Sequence, residues 1–322
     1  MVTIKDVAKH AGVSVATVSR FLNGSGYVGE KAKKAIEESV QQLNYAPNQV
    51  ARSLSKKQAK TIGLIVPDIM NPFFPELARA IEDTALKQGY TVILCNSDED
   101  VEKEQRYIQS LQKTYIAGFI IATNGLTNTY EHLNVPTVLI DRFTEGDIPS
   151  VASENEEGAK LAAQYLLSTG AKQIGFLSGP MELEPVKKRF IGFKEGLGTA
   201  ELVAVEESAF HFKEAEQAAR SMLEQHPQID SIFASSDILA VGVLKAANGL
   251  GRKVPDDLQV IGFDGISLGE MLTPTLTTIA QDIYGIGEKA TEMLIQQING
   301  EPLEQIHVSI APELVVRNST KE

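Results

Sequence analysis

The first 45 residues place their apolar side chains at the spacing of three short helices. Residues 3–23 predict two helices joined by a tight turn at Gly12, and Ser14 is a favourable N-cap for the second of them. A third helix is predicted from about Glu30 to Leu43, which completes a small three-helix bundle. The apolar stripes are Ile4, Val7 and Ala8, then Val18, Phe21 and Leu22, and finally Ala32, Ala35, Ile36, Val40 and Leu43.

From Thr61 onwards, short apolar strands alternate with amphipathic helices. The predicted strands are Ile62–Val66, Thr91–Cys95, Gly118–Ile121 and Thr137–Ile140, then Gln173–Leu177, Leu202–Val205, Ser231–Ala234 and Leu258–Gly262, with a last strand near Glu313–Arg317. The predicted helices lie near 73–88, 100–113, 155–169, 186–196, 213–225, 237–249 and 283–299. This alternation predicts an α/β body with two doubly wound parallel sheets of about four strands each. Because ligands bind at the carboxyl ends of such strands, two facing halves predict a cleft between those ends.

The charge of the chain is divided unevenly between its two ends. Residues 1–60 hold ten Lys or Arg and four Asp or Glu, a net charge of +6. The whole chain carries −12, so residues 61–322 carry −18. A basic head on an acidic body is typical of a nucleic-acid reader whose second domain has another task.

Length and composition narrow the class of protein further. The 322 residues, 43% of them hydrophobic, predict two or three domains of ordinary globular composition. The single cysteine, Cys95, excludes an intrachain disulfide and lies in an apolar strand pattern, where it is expected to be buried filler. We find no signal-peptide pattern and no apolar run long enough to cross a membrane, and therefore expect a cytoplasmic protein without a membrane partner.

The second predicted helix has the composition of a helix that reads DNA. Its leading end carries small or hydrogen-bonding groups and one Arg, namely Val15, Ala16, Thr17, Ser19 and Arg20. Only the first turn or two of such a helix reaches base edges in the major groove. The alternative is a small surface hairpin of two helices, because helix-turn-helix patterns are short. The uneven charge favours the nucleic-acid interpretation.

The segment after Tyr45 predicts a short connecting helix. Pro47 suits a first helical position, and the residues that follow allow about two helical turns, which are marginal alone in water. Leu54 is apolar among basic neighbours. It is either a wedge that enters the minor groove and bends the DNA or a staple onto the larger domain.

Polar and aromatic residues recur where the predicted strands of the body end. They are Asn71, Phe73, Phe74, Asp141, Arg142, Arg189, Phe210, Ser236, Asp264 and Gln281. Carboxylate, amide and guanidinium groups pair with vicinal hydroxyls, and Phe rings cover ring carbons, so the set suits a small polyol such as a sugar. Each residue taken singly has an alternative role as an N-cap, a turn former or an ion-pair partner.

The sequence offers little for catalysis, metal binding or cofactor binding. Residues Gly285–Ala290 mimic a dinucleotide fingerprint, but no strand precedes them. The five His and one Cys show no metal-ligand spacing, and no nucleophile elbow is present. We therefore expect neither an enzyme nor a cofactor or metal; the alternative of another class is a cytoplasmic sugar-handling enzyme.

Several motifs occur together and carry a resemblance to one family. They are Thr3-Ile4-Lys5-Asp6-Val7-Ala8, Gly12-Val13-Ser14, Thr17-Val18-Ser19-Arg20, Leu43-Asn44-Tyr45-x-Pro47-Asn48-x-x-Ala51-Arg52-x-Leu54, Gly63-Leu64-Ile65-Val66-Pro67 and Val260-Ile261-Gly262-Phe263-Asp264. Over essentially its whole length the chain resembles the lactose-repressor/galactose-repressor (LacI/GalR) family of bacterial transcription regulators, and within it the ribose operon repressors. Asn71-Pro72-Phe73-Phe74 and Asp141-Arg142 also match the pattern of bacterial ribose-binding proteins.

The resemblance implies a domain organisation and an activity. It implies a helix-turn-helix DNA-binding domain at 1–45, a hinge helix and linker at 46–60, and an effector-binding and dimerisation domain at 61–322. The body is then periplasmic-binding-protein-like, with an N-subdomain at about 61–152 and 283–305 and a C-subdomain at about 153–282 and 306–322. The implied protein is a homodimeric repressor of a sugar-utilisation operon. It binds a palindromic operator in double-stranded DNA and is released by a small sugar, with ribose favoured.

The family's roles carry over to matching positions. The implied DNA-binding residues are Thr3, Ser14, Val15, Ala16, Thr17, Ser19, Arg20, Asn48, Ala51 and Leu54. Among them Val15, Ala16 and Arg20 face bases, Ser14, Thr17 and Ser19 face phosphates, and Leu54 is the minor-groove wedge. The effector-binding residues are the ten that recur at the strand ends. Two positions depart from the pattern of sugar binders in this class: Ser236 replaces the usual Asn, and Gly265 replaces a second Asp.

Two rivals lie within the same family. A catabolite-control type uses a phosphorylated carrier protein as co-repressor, and Glu292 at the matching position would repel the phosphate. A purine type stacks a base on Phe, for which Phe210 is suitable.

Overall fold

The computed structural model describes residues 2–45, 60–114, 116–122, 130, 133–141, 147–198 and 200–321. The chain divides into two compact units, Met1–Ala59 and Lys60–Glu322.

The first unit contains the three predicted helices, α1 (Ile4–Ala11), α2 (Val15–Asn23) and α3 (Glu30–Gln42). Its core is formed by the buried side chains of Val7, Ala8, Val18, Val28 and Ile36. Gly12 ends α1 with φ +66°, a left-handed conformation that glycine adopts without strain. The chain therefore turns sharply between the first two helices.

The second unit alternates strands and helices. Its strands are β1 (Thr61–Val66), β2 (Thr91–Asn96), β3 (Gly118–Ile121), β4 (Thr137–Ile140), β5 (Ser150–Ser153), β6 (Gln173–Ser178), β7 (Glu201–Glu207), β8 (Ser231–Ala234), β9 (Gln259–Asp264), β10 (Thr277–Ala280), β11 (His307–Ile310) and β12 (Glu313–Val315). Its helices are α4 (Phe73–Lys87), α5 (Val101–Gln112), α6 (Asn155–Ser168), α7 (Glu184–Leu197), α8 (Phe212–Gln225), α9 (Asp237–Gly249), α10 (Leu268–Met271) and α11 (Ile283–Asn299).

These strands form two sheets, which define two halves of the unit. The sheet of the first half has the order β11-β5-β4-β3-β1-β2, and all its pairs are parallel. The sheet of the second half has the order β12-β10-β9-β8-β6-β7 and is parallel except for the antiparallel pair β10–β12. The predicted α/β architecture with two parallel-dominated sheets is confirmed.

Each sheet holds six strands rather than about four. Three short strands were not predicted, because they lack a continuous apolar run. Strands β5, β10 and β11 each carry two Ser, Thr or His residues among their four positions. Hydrogen bonds satisfy these polar groups inside the fold: the Ser150 hydroxyl and His307 Nδ1 lie 2.9 Å apart, and the Thr278 hydroxyl donates to Asp237 Oδ1 at 2.6 Å.

One predicted boundary is wrong. The sequence assigned residues from 306 onwards to the C-subdomain, yet β11 pairs in parallel with β5 of the first half. The second half contains β12, which pairs with β10, and the residues after it, of which Ser319 bonds to Thr277 and Val260. The chain therefore crosses between the halves after Ile310, because the backbone groups of 307–310 complete the edge of the first sheet.

Helices cover the sheets and complete the cores. In the first half α4 packs against α11, and Leu77, Ile81 and Leu294 are fully buried there. In the second half, Phe176, Phe193 and Phe233 form mutual ring contacts with centroids 4.6–5.5 Å apart. Cys95 is buried, which raises the pKa of its thiol. None of the described helices combines the length and apolar character needed to span a membrane.

Candidate functional site

A cavity of about 820 Å³, including its open mouth, lies at the carboxyl ends of the strands of both sheets. Nine of the ten residues predicted to bind effector line it: Asn71, Phe73, Phe74, Asp141, Arg189, Phe210, Ser236, Asp264 and Gln281. The tenth, Arg142, lies outside the described residues. The topology therefore brings together side chains that are up to 210 positions apart in the sequence, from Asn71 to Gln281.

Nine further residues line the cavity and were not predicted as site residues. They are Pro67, Asp68, Glu99, Ala122, Ile140, Leu183, Pro185, Val186 and His211. No site residue was predicted at the ends of β2 and β3, and Glu99 and Ala122 follow these two strands. The strand-end rule, applied to β2 as well, finds the polar residue Glu99. Leu183, Pro185 and Val186 carry no polar signal and become visible only in the fold.

The start of α4 fixes the aromatic side of the cavity. Asn71 Oδ1 accepts the backbone N–H of Phe73 at 3.2 Å, just ahead of the first turn. The rings of Phe73 and Phe74 then meet edge to face, with centroids 5.2 Å apart and an angle of 84°. This pair presents a rigid apolar surface.

Arg189 on α7 is the centre of the polar side. Its Nε donates to Asn155 Oδ1 at 2.7 Å, and its Nη1 donates to the Ser235 carbonyl at 2.6 Å. Nη1 also pairs with Asp264 Oδ1 at 3.3 Å, and the guanidinium lies 3.8 Å from the centroid of the Phe263 ring. A side chain that is 5% exposed is thus held in one position by four neighbours.

Two carboxylates and one amide complete the polar side. Gln281 Nε2 donates to Asp264 Oδ1 at 2.8 Å. Asp141 directly follows β4 and Asp264 ends β9. Their φ angles are +58° and +126°, conformations that cost energy in residues other than glycine. Within the described part of the chain, Asp141 Oδ1 and Gln281 Oε1 are shielded from solvent and accept no hydrogen bond. Both residues line the cavity, so two unsatisfied acceptors lie in its wall.

Burial dominates the electrostatics of the site. It raises the pKa of Asp264 to about 6, an effect that the Arg189 guanidinium opposes. It likewise raises the pKa of Asp141, again against the attraction of Arg189. Behind the cavity, burial and the neighbouring Asp264 charge raise the pKa of Asp237 to about 8. The described pocket therefore disfavours additional negative charge.

The structure accounts for the two departures from the sugar-binding pattern. Ser236 is the N-cap of α9, and its Oγ accepts the Leu239 N–H at 3.3 Å, so this hydroxyl both caps a helix and lines the cavity. Gly265 has φ +78°, and a Cβ there would lie 2.5 Å from the Ala280 Cβ. A second Asp therefore has no space at this position.

In the first unit, α2 presents the predicted reading surface. Ser14 Oγ accepts the Thr17 N–H at 3.1 Å and lies 2.8 Å from the Thr17 hydroxyl, which fixes the start of the helix. Val15, Ala16 and Arg20 are exposed, whereas Thr17 and Ser19 are half-buried.

Of the four remaining predicted DNA-binding residues, the structure describes Thr3. Thr3 donates from both its backbone N–H and its hydroxyl to Asp6 Oδ2, at 2.8 and 2.7 Å. These two bonds lower the pKa of the Asp6 carboxyl. Asn48, Ala51 and Leu54 lie outside the described residues.

The dinucleotide-like segment has no phosphate cradle. Residues 285–290 lie inside α11, and Asp282 Oδ1 already accepts the Gly285 N–H at 2.7 Å at the start of that helix. A carboxylate at this helix N-terminus competes with a phosphate for the same backbone groups. Among the described residues, no group of three or more His, Cys, Asp or Glu side chains has the arrangement of a metal site.

Each of the two units matches a known protein family. Residues 3–48 match the family described as bacterial regulatory proteins, lacI family, and residues 59–319 match periplasmic binding proteins and sugar binding domain of LacI family. The ribose operon repressor of Halalkalibacterium halodurans is 51% identical over 100% of this chain and 98% of its own length.

Two solved structures extend the comparison. The lac repressor dimer bound to operator and the anti-inducer ONPF has a TM-score of 0.92 at 28% identity and covers 99% of each chain. A LacI family transcriptional regulator from Enterococcus faecium with bound ribose has a TM-score of 0.73 at 32% identity and covers 81% of this chain and 98% of its own. The chain belongs to the LacI family of bacterial regulatory proteins and is a transcriptional repressor of that family.

Proposed function

We propose that this repressor binds a near-palindromic operator as a homodimer and is released by a small uncharged sugar, with ribose favoured. The observation that carries the sugar part is the cavity itself. Two buried acceptor atoms without hydrogen-bond partners in the described structure, Asp141 Oδ1 and Gln281 Oε1, belong to residues that line the same cavity as Phe73, Phe74 and Phe210.

This combination suits a polyol ring. Sugar hydroxyls donate to carboxylate and amide oxygens, and they accept from guanidinium and amide nitrogens. Arg189 and Gln281 supply such nitrogens beside the Asp264 carboxylate. Phe rings cover the ring carbons, which water solvates poorly.

The charge of the lining favours an uncharged sugar over a sugar phosphate. The described lining includes four carboxyl groups, those of Asp68, Glu99, Asp141 and Asp264. Its one guanidinium, Arg189, already pairs with Asp264. A phosphate would therefore meet net negative charge in a poorly hydrated site, which costs binding free energy.

Ribose is favoured over other sugars on the strength of the relatives. The repressor that is similar over the whole chain is named for the ribose operon, and the Enterococcus faecium regulator holds ribose in its structure. The pattern Asn71-Pro72-Phe73-Phe74 is present at the start of α4, with three of its residues in the cavity lining.

The DNA-binding role rests on α2. Val15, Ala16 and Arg20 are assigned to base edges, and Ser14, Thr17 and Ser19 to phosphates. Thr3, Asn48 and Ala51 are further DNA-binding residues, and Leu54 enters the minor groove. Two copies of the chain bind one half-site each, so the two-fold symmetry of the operator mirrors that of the dimer.

Release is a shift between two arrangements of the halves of the body. We take the arrangement described here as the operator-binding one, because its fold matches that of the operator-bound lac repressor over 99% of both chains. Ribose favours the other arrangement if it binds that arrangement more tightly. The coupling is reciprocal, so operator weakens ribose binding by the same factor as ribose weakens operator binding.

Calorimetric titration of the full-length protein tests the effector assignment. The panel contains D-ribose, other pentoses, ribose 5-phosphate and a purine base. We expect saturable binding of D-ribose and no measurable binding of the phosphate. Binding of the purine or the phosphate in place of ribose would contradict the assignment and favour the rival regulators of the same family.

Replacing Gly179 with alanine is expected to weaken ribose binding. A Cβ at this position would lie 2.3 Å from Phe210 Cζ, so this ring of the cavity lining has to shift. We expect roughly a tenfold loss of affinity from the displaced ring. The double variant Gly179→Ala/Phe210→Leu provides the control: its shorter side chain relieves the clash, and ribose affinity recovers in part. Unchanged affinity in Gly179→Ala would show that Phe210 does not bound the ribose site.

Replacing Arg20 with alanine is expected to weaken operator binding without affecting ribose. An Arg that reads a base edge contributes about 1–3 kcal/mol, so operator affinity falls roughly 10- to 100-fold. Lys31→Ala on α3 is the matched control, because it removes the same charge from an exposed position off the reading helix. Fluorescence anisotropy with operator and with scrambled DNA measures both. An equal loss in the two variants would mean that Arg20 contributes only general charge.

A further inference from the structure

We propose that Glu76 positions the two halves of the body against each other, and that its bonds to Ser267 set the effector concentration at which the repressor leaves its operator. Glu76 lies on α4 in the first half. Its Oε1 accepts both the backbone N–H of Ser267 at 3.0 Å and the Ser267 hydroxyl at 2.8 Å. Ser267 immediately precedes α10 in the second half, so one carboxylate oxygen joins the halves. This inference rests on the proposed function.

Both residues of this link lie close in sequence to residues that line the cavity. Glu76 follows Phe73 by about one helical turn on the same helix, and Phe73 lines the cavity. Ser267 follows Asp264 by three residues, and Asp264 lines the cavity from the second half. Any ligand that moves these two walls relative to each other therefore acts on the bonds of Glu76.

The loop that carries Ser267 is held firmly in its own half. The buried Asp237 Oδ2 accepts the N–H groups of Gly265 at 2.8 Å and Ile266 at 2.9 Å. Its Oδ1 accepts the Thr278 hydroxyl at 2.6 Å, which ties the loop to β10. The loop therefore moves with the second half. Relative movement of the two halves takes place at the contact between this loop and α4.

An apolar contact accompanies the polar one. Ile238 and Ile266 of the second half are buried in the same cluster as Phe73 and Leu77 of α4. Apolar packing is not directional, so it tolerates small rotations of one half on the other. The two hydrogen bonds of Glu76 are directional and select one relative position.

Among the described residues, the Glu76 carboxylate bonds to Ser267 and to no other side chain. It forms no ion pair there, although Arg79 and Asp83 approach each other within 3.9 Å on the same helix. Both Glu76 and Ser267 retain solvent contact. The link is therefore strong enough to bias the arrangement of the halves and weak enough for a ligand to break.

The expected effect of removing the link has an unusual sign. Loss of a contact near a binding site ordinarily weakens ligand binding. Here Glu76→Ala destabilises only the operator-binding arrangement, so ribose has less to overcome. We expect the apparent affinity for ribose to rise, and the ribose concentration for half-release of operator to fall, each roughly three- to tenfold.

Full-length parent, Glu76→Ala and Glu76→Gln proteins are compared by ribose titration in the presence of fluorescent operator, with thermal unfolding as a check of the fold. The glutamine variant keeps an acceptor oxygen for Ser267 and is expected to behave like the parent. Unchanged or weaker ribose binding in a folded Glu76→Ala protein would overturn the inference. A parent that does not respond to ribose would instead overturn the proposed effector, so the two failures are told apart by the parent titration.

Discussion

Replacing Arg189 with alanine abolishes the release of operator by ribose and leaves operator binding without ribose intact. The guanidinium joins Asn155, the Ser235 carbonyl and Asp264, and it is the one described guanidinium in the cavity lining. Its loss removes charged hydrogen bonds in a buried site and disorders Asp264. We expect ribose affinity to fall by more than about 100-fold. Anisotropy titrations with operator, at rising ribose concentrations, measure both properties.

Two matched variants separate this effect from a loss of folding. Arg189→Lys keeps the positive charge beside Asp264 but cannot reproduce the planar set of bonds, so an intermediate loss is expected. Adding Asp264→Asn to Arg189→Ala removes the buried charge that the first change leaves unpaired, and it should restore thermal stability without restoring the ribose response. A normal ribose response in Arg189→Ala would show that the cavity is not the effector site.

Replacing Asp237 with alanine strongly destabilises the second half of the body. The fully buried carboxylate accepts three hydrogen bonds, from Gly265, Ile266 and Thr278. Alanine leaves two buried donors and the half-buried Gly265 N–H without this acceptor, which costs about 3–5 kcal/mol of the free energy of unfolding. Asp237→Asn is expected to be tolerated, because its oxygen accepts the two backbone N–H groups and its Nδ2 donates to the Thr278 hydroxyl. Urea unfolding of the three proteins at one pH measures the difference.

The same residue is expected to make the stability of the protein depend on pH. Burial raises the pKa of Asp237 from its ordinary value of 3.8 to about 8, so the folded state binds the proton more tightly than the unfolded state. Its contribution to stability is complete below pH 3.8 and is lost as the pH rises to about 8. Asp237→Asn should flatten this dependence and be more stable than the parent at the upper end of the range. An identical pH profile in both proteins would mean that Asp237 does not carry the raised pKa.

The fold was largely predictable because apolar periodicity determines most of its elements. Strands such as Gly118–Ile121 and Ser231–Ala234 were found with their observed bounds. The strand Ser150–Ser153 was not, since its polar ends resemble a loop until Ser150 meets His307 across 157 positions of sequence. The same long-range pairing moves residues 307–310 into the first sheet. Such contacts depend on tertiary structure, which local pattern does not encode.

The candidate site, like the fold, was predictable from the sequence in part. The strand-end rule together with the family resemblance selected all nine of the described effector candidates that line the cavity. Asp237 directly follows Ser236 at the same strand end, and nothing in the sequence distinguishes it from the effector candidates. In the structure its carboxyl group accepts the N–H groups of the next loop, and it is not among the cavity-lining residues. The space restriction at Gly265 depends on the position of Ala280, which is equally invisible in the sequence. The assignments at Asn48, Ala51, Leu54 and Arg142 remain predictions.

One measurement tests the central claim most directly. The full-length protein is bound to a fluorescent palindrome from upstream of its gene and titrated with D-ribose, while other sugars, sugar phosphates and purines are titrated in parallel. The account predicts tight operator binding that D-ribose reverses and ribose 5-phosphate does not. Operator binding that ignores ribose but responds to a phosphate or a purine would contradict the effector assignment, and a failure to bind any palindrome would contradict the assignment of α2 as the DNA-reading helix.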